Sequence, residues 1–319
     1  MRRVAATIAG VLLAARAHGA SGAGEDIGQT IRPVVTARQA ATGGLDVEDR
    51  WVTEGLLEGG TILTPLGLRW YRAGGQVQIL GGVRLGGEIF GFSSGDIVQT
   101  LDDEYGQYAG EGGTVSASEN GGRLTTRFSL SDGAAWSVSA DARVVGLVRR
   151  VPDRSETGLA GDVGATITSR GGGDGGTSFW VMVGPIGKAG ESMFAGQVTG
   201  GVSMTQDLHG NRDGGFAGYA GGIEAEALGE GLFQAGVGAA CWFKAPESPR
   251  WFFLRAGARY VQGGVATVEP RAGVGVLWRQ WSGIGVEFDY AAVSAGAMGL
   301  FHYVTLTVRM PEARERIEQ

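Results

Sequence analysis

The chain is short of cysteine, proline, histidine and net positive charge, and each shortage removes a class of protein. A single cysteine, Cys241, among 319 residues excludes an intramolecular disulfide framework and a cysteine-based zinc site. The three histidines, His18, His209 and His302, form no metal-binding run. Eight prolines, with glycine lacking a three-residue period, exclude collagen. A net charge of −6 argues against nucleic acid as a partner. Beyond the N-terminus there is no apolar run of about 18 residues, so helices do not carry this chain across a membrane. Any crossing would be made with strands.

Glycine is abundant instead, at 60 residues. Each glycine costs a helix about 1 kcal/mol relative to alanine, so a helical fold is disfavoured. Hydrophobic residues at 43%, many of them β-branched or aromatic, argue against disorder. The composition is that of a glycine-rich β protein of one domain, or at most two.

The N-terminus reads as an export signal over residues 1–20. Met1-Arg2-Arg3 is a positive start, Val4 to Ala15 is apolar, and Ala17-His18-Gly19-Ala20 supplies small residues for cleavage. The apolar stretch is shorter than the about 20 residues a spanning helix needs. The alternative is a short buried helix.

From residue 76 the chain falls into alternating segments parted by Gly, Asp, Asn, Pro or Ser clusters. Trp136, Val138, Ala140, Ala142 and Val144 share one face, and Ser137, Ser139, Asp141 and Arg143 the other. Gly283 to Ala291 and Leu300 to Met310 repeat the scheme. Further candidates are Gln76–Arg84, Gly86–Phe92, Arg123–Leu130, Gly158–Thr168, Ser178–Val183 and Ala195–Thr205. Phe216–Ala227, Leu232–Phe243, Trp251–Val261 and Glu269–Arg279 complete roughly twelve to fourteen antiparallel strands.

A soluble sandwich or propeller and a closed outer-membrane barrel both fit that count. Three features favour an all-β transmembrane barrel. The strands have the length a tilted membrane strand requires. Aromatic residues gather near strand ends, at Trp242, Phe243, Trp251, Phe252, Phe253, Trp278 and Trp281, as in an interfacial girdle. Charged residues recur on the alternate face, where a polar lumen would solvate them. The lumen-facing candidates are Asp141, Arg143, Asp162, Glu224, Glu226, Arg255, Arg259, Arg271, Glu287, Asp289 and Arg309. The expected organisation is a signal peptide over 1–20, a plug-like lead segment over 21–75, the barrel over 76–310 and a charged tail over 311–319. Gly43 to Arg72 lacks alternation yet carries Trp51, Leu56, Leu57, Leu63 and Trp70, so it is expected to enter or cover the lumen.

The last third reads Leu254-Arg255-Ala256-Gly257, Gly273-Val274-Gly275-Val276, Val286-Glu287-Phe288-Asp289-Tyr290-Ala291 and Gly299-Leu300-Phe301-His302-Tyr303-Val304-Thr305-Leu306. Ser94-Gly95-Asp96-Ile97, Ser116-Ala117-Ser118-Glu119-Asn120 and Gly158 to Gly164 lie upstream. Ala37 to Gly44 and Thr64-Pro65-Leu66-Gly67-Leu68 precede them. In order and spacing these patches resemble the PorV/PorQ-like outer-membrane family, related to FadL-type barrels. The resemblance implies a barrel of about fourteen strands. It further implies a role in protein secretion or surface attachment, with secretion-system components or exported cargo as partners. A FadL-like barrel would instead carry small or hydrophobic molecules.

No enzyme or cofactor motif accompanies these patterns. There is no Gly-x-Ser-x-Gly elbow, Walker loop or His-Glu-x-x-His. Gly171 to Gly176 reads as a flexible turn. Asp102-Asp103-Glu104 reads as a solvated loop before a divalent-cation site. Glu287 and Asp289, two apart on one face, read as ion-pair partners of Arg255, Arg259 or Arg271 before acid–base catalysts. His302 falls on the apolar face, where interfacial placement suits it. Three readings stand: a barrel serving secretion or surface attachment, a transport barrel, and a soluble periplasmic β protein. Both barrels would have outer-membrane lipid and the barrel-assembly machinery as partners.

Overall fold

The computed structural model describes residues 36–42 and 55–310. Short breaks fall at 66, 81, 96, 103–107, 134, 152–153, 171–174, 190–191, 194–195, 209–214, 228–232, 247, 263–265, 280–282 and 295–298. The expected signal peptide, the charged tail, Trp51 and Trp281 lie outside the described residues.

One short helix, α1 (Ala37–Ala41), precedes the strands. These are β1 (Gly55–Leu63), β2 (Arg69–Leu80), β3 (Val83–Ser93), β4 (Ile97–Asp102), β5 (Tyr108–Val115) and β6 (Ser118–Asp132). Next come β7 (Trp136–Val151), β8 (Arg154–Arg170), β9 (Gly175–Ala189), β10 (Ser192–Met193), β11 (Val198–Asp207) and β12 (Gly215–Ala227). The chain continues with β13 (Phe233–Lys244), β14 (Arg250–Gln262), β15 (Thr267–Arg279), β16 (Gly285–Ser294) and β17 (Leu300–Met310). Fourteen strands close into an antiparallel transmembrane barrel. Closure comes from β17 pairing with β1, Met310 opposite Gly55, while β8 and β9 join the two ends of the sheet. The strands β4 and β5 pair only with each other, and β10 adds two residues to β9.

The burial pattern is inverted relative to a soluble protein. Leu124 is 69% exposed and Val268 65%, whereas Glu287 and Asp289 are 0% exposed. In β16 the buried residues are Gly285, Glu287, Asp289, Ala291 and Val293, and Phe288 points outward. An apolar exterior of this extent suits lipid and not water, so the soluble reading fails on the sign of the alternation.

The wall starts earlier than the alternation suggests. Residues 55–63 and 69–75, assigned from sequence to the lead segment, form β1 and the first half of β2, and β1 pairs with β17 along its whole length. Gly55, Gly59, Gly60, Gly74 and Gly75 thin the alternation there, so the period-2 signal is weak although the backbone pairing is complete. The candidate strand Gln76–Arg84 in fact spans a hairpin: β2 ends at Leu80, and Gly82, at φ +86°, makes the turn into β3. Residues 43–54 of the expected plug lie outside the described residues. The element inside the barrel is the preceding one, α1.

A candidate lumenal site

The helix α1 is too short to be stable alone. Its N-terminal end is tied locally by a capping box, in which Thr36 Oγ1 accepts from Gln39 N at 3.1 Å and Gln39 Oε1 accepts from Thr36 N at 3.2 Å. The barrel does the rest. Ala37 N donates to Thr305 Oγ1 on β17 at 2.9 Å, and Ala40 and Ala41 are fully buried. Glycines on β13, β14 and β15 make the seat. A side chain at Gly238 or Gly257 would strike the Thr42 backbone, and one at Gly273 would strike Ala41. The helix backbone therefore lies directly on the wall.

Arg38 points from this helix into a cluster of carboxylates. Its Nη2 lies 2.9 Å from Glu58 Oε2 on β1, its Nη1 3.7 Å from Glu287 Oε2, and its Nε 3.8 Å from Asp289 Oδ2 on β16. Arg255 on β14 reaches the same two carboxylates, at 2.7 Å from Asp289 Oδ1 and 3.2 Å from Glu287 Oε1. To do so it crosses β15 at Gly275, where a Cβ would collide with both Asp289 Oδ1 and Arg255 Nη1. Arg309 closes on Glu287 Oε2 at 2.6 Å, and Thr307 donates to Glu58 Oε2 at 3.3 Å. Charges this deeply buried persist only when paired and hydrogen-bonded, and here each carboxylate meets more than one donor.

The belt continues around the inner wall. Arg72 bridges Glu58 and Glu88 at 2.9 and 3.1 Å, and Arg123 lies 3.5 Å from Glu88. Farther round, Arg127 holds Asp141 at 2.7 Å and Arg143 approaches Asp162 at 3.5 Å. On the other side Arg259 meets Glu226 at 3.0 Å and Arg271 meets Glu269 at 2.5 Å. Glu224 is half-buried on the inner side of β12, two residues from Glu226.

Apolar layers flank the belt. Towards the end that carries Gly55 and Met310, Trp242, Phe253, Leu277, Ala220 and Ala240 pack together, with Trp180 and Trp251 against them. Towards the opposite end, Trp70 joins two clusters, one of Phe90, Val145, Leu147 and Ala160, the other of Ile62, Val293, Tyr303 and the α1 alanines. Arg255 sits 4.8 Å above the Phe253 ring and Arg123 5.8 Å from the Phe90 centroid, so guanidiniums seal belt to layer.

Of the sequence candidates, Asp141, Asp162, Glu226, Arg255, Arg271, Glu287, Asp289 and Arg309 are buried. Arg143, Arg259 and Glu224 are half-buried. Glu287 and Asp289 share Arg255, but their other partners are Arg38 and Arg309, while Arg259 and Arg271 serve Glu226 and Glu269. Sequence reasoning missed Glu58 and Arg72 because they fall in the segment without alternation, and Arg38 because it lies on a helix ahead of the strands. Glu88, Arg123 and Arg127 were within reach of the same period-2 argument used elsewhere. The proposed aromatic girdle divides: Phe252 and Trp278 face outward, but Trp242 and Phe253 fill the interior. His302 lies outside, its Nδ1 2.6 Å from Tyr290 Oη. Among the described residues no group of three His, Cys, Asp or Glu is placed to hold a metal ion.

No protein-family model matches the chain, and no curated protein does. Solved structures do resemble it. The toluene transporter TodX of Pseudomonas putida superimposes at TM-score 0.53 and 10% identity, covering 86% of this chain and 96% of that one. The toluene transporter TbuX of Ralstonia pickettii gives TM-score 0.50 and 10% identity, covering 87% and 98%. The chain also spans 60% of CdiB from Acinetobacter baumannii, at 9% identity and TM-score 0.49. At these identities the likeness concerns the fold: a closed barrel of the outer-membrane type. The finer resemblance to the PorV/PorQ-like family has no match among these comparisons.

Proposed function

We propose that the chain is a non-enzymatic outer-membrane barrel that passes small, largely apolar molecules, with α1 as the plug that closes its lumen. The observation that carries this reading is the seating of α1: a short helix held in the barrel by Arg38 and a glycine floor. Apolar layers on both sides of the charged belt supply surfaces that a molecule such as toluene would wet. The likeness to toluene transporters adds support at the level of the fold. The test is initial uptake of radiolabelled toluene by cells with and without the chain, alongside a variant lacking residues 36–42. Expression should raise the uptake rate several-fold and the deletion should raise it further. Equal rates in all three strains refute transport.

A second reading has its own observation. Between β3 and β6 the chain leaves the wall, and β4 and β5 form a separate hairpin at the end opposite Gly55 and Met310. Such an arm suits the docking of an exported protein or a secretion-system component, the role implied by the sequence resemblance. Cross-linking from that hairpin in intact cells, with loss of the adduct when residues 97–115 are removed, tests it.

A further inference from the structure

The inner wall is unevenly filled. The helix α1 rests against β14 to β17, while the facing wall from β3 to β9 carries half-buried polar side chains. On that wall the register aligns four inner residues in one row across neighbouring strands: Gln78 on β2, Arg84 on β3, Arg127 on β6 and Asp141 on β7. Directly opposed residues place their Cβ atoms about 5 Å apart, and like charges so opposed repel. Arg127 answers Asp141, Nε to Oδ1 at 2.7 Å, and its side chain remains 37% exposed. Arg84 has no carboxylate partner among the described residues. Its neighbours Val83 and Leu85 belong to the outer face, Leu85 being 39% exposed, so the guanidinium of Arg84 faces the lumen. The row thus holds two guanidiniums and one carboxylate, an excess of one positive charge beside the hydroxyls of Thr125 and Ser129.

We propose that Arg84 and Arg127 form a lumenal oxyanion subsite, open towards the end that carries Gly55 and Met310, which takes a carboxylate or phosphate group. An anion between the two relieves their repulsion and gives Arg84 the partner that the wall withholds. Guanidinium forks suit both oxyanions through paired N–H donors. The inference rests on the inner wall of β3 and β6, and it stands or falls independently of the transport reading.

The test is residue-resolved modification of the full chain, folded in detergent micelles, by the arginine reagent phenylglyoxal, read by mass spectrometry. Sodium phosphate, sodium acetate and sodium chloride are compared at equal ionic strength. Arg170, exposed at a strand end, reports general effects of the anion on the reagent; Arg255, 1% exposed, reports unfolding. Arg84 should react in chloride, and phosphate or acetate should slow it at least about threefold, the protection given by an anion at twice its dissociation constant. Arg170 should be unaffected. Protection by phosphate alone assigns a phosphate group, by acetate alone a carboxylate, and by both the shared chemistry. Equal rates in all three salts overturn the proposal, as does an Arg84 that fails to react in chloride.

Discussion

Replacing Gly275 by alanine is the sharpest probe of the charged belt. The perturbation is one methyl group, placed where the Nη1 of Arg255 and the Oδ1 of Asp289 meet at 2.7 Å above β15. Both side chains are 1% exposed or less, so water cannot replace the lost contact. Arg255 keeps Glu287 and Asp289 keeps Arg38, so what is lost is one charge-assisted hydrogen bond, at a cost of about 1.5–3 kcal/mol. At about 1.4 kcal/mol per decade, the folding equilibrium falls by about one to two decades. The assay is urea unfolding of the barrel in lipid vesicles, followed by the difference in gel migration between folded and unfolded chain. Ala272→Val on the same strand is the control, because its side chain faces outward and should change stability by no more than about 0.5 kcal/mol. If Gly275→Ala lies within about 1 kcal/mol of the parent, the close passage of Arg255 over β15 is not a stabilising feature and the argument fails.

Two further outcomes follow from the same geometry. Leu124→Arg, on the outer face of β6, should destabilise the barrel in lipid by about 2–4 kcal/mol if that residue lies near the bilayer midplane; an unchanged unfolding midpoint would mean that this face does not meet lipid. In a Cys241→Ala background, Ala40→Cys should resist a soluble maleimide in the folded barrel, and adding Arg38→Gln should speed labelling at least tenfold as α1 loosens. Rapid labelling of the single variant would refute a buried plug.

The alternating segments show which parts of the legible fold came from local pattern. Strand β17 occupies Leu300–Met310, the range read from its alternation, because one face of a barrel strand meets lipid and the other does not. The same rule placed Asp141, Arg255 and Glu287 on the non-lipid face. It failed at β1 and β2, where glycine removes the side chains that carry the period. It also failed for Trp242 and Phe253, since an aromatic near a strand end has two faces available and only the register tells which it takes.

What the sequence determined by itself is a glycine-rich protein of alternating strands, crossed by no long apolar helix; that the strands close so every edge is paired, and turn their apolar face outward, is decided by the tertiary structure. Pairing across the lumen was decided only by tertiary structure. Ala37 and Thr305 are 268 residues apart, and Arg38 meets Glu58, Glu287 and Asp289 because closure of β17 on β1 carries their strands to one side of the barrel. Alternation states that a side chain points inward; shear and closure decide which inward side chain it will face.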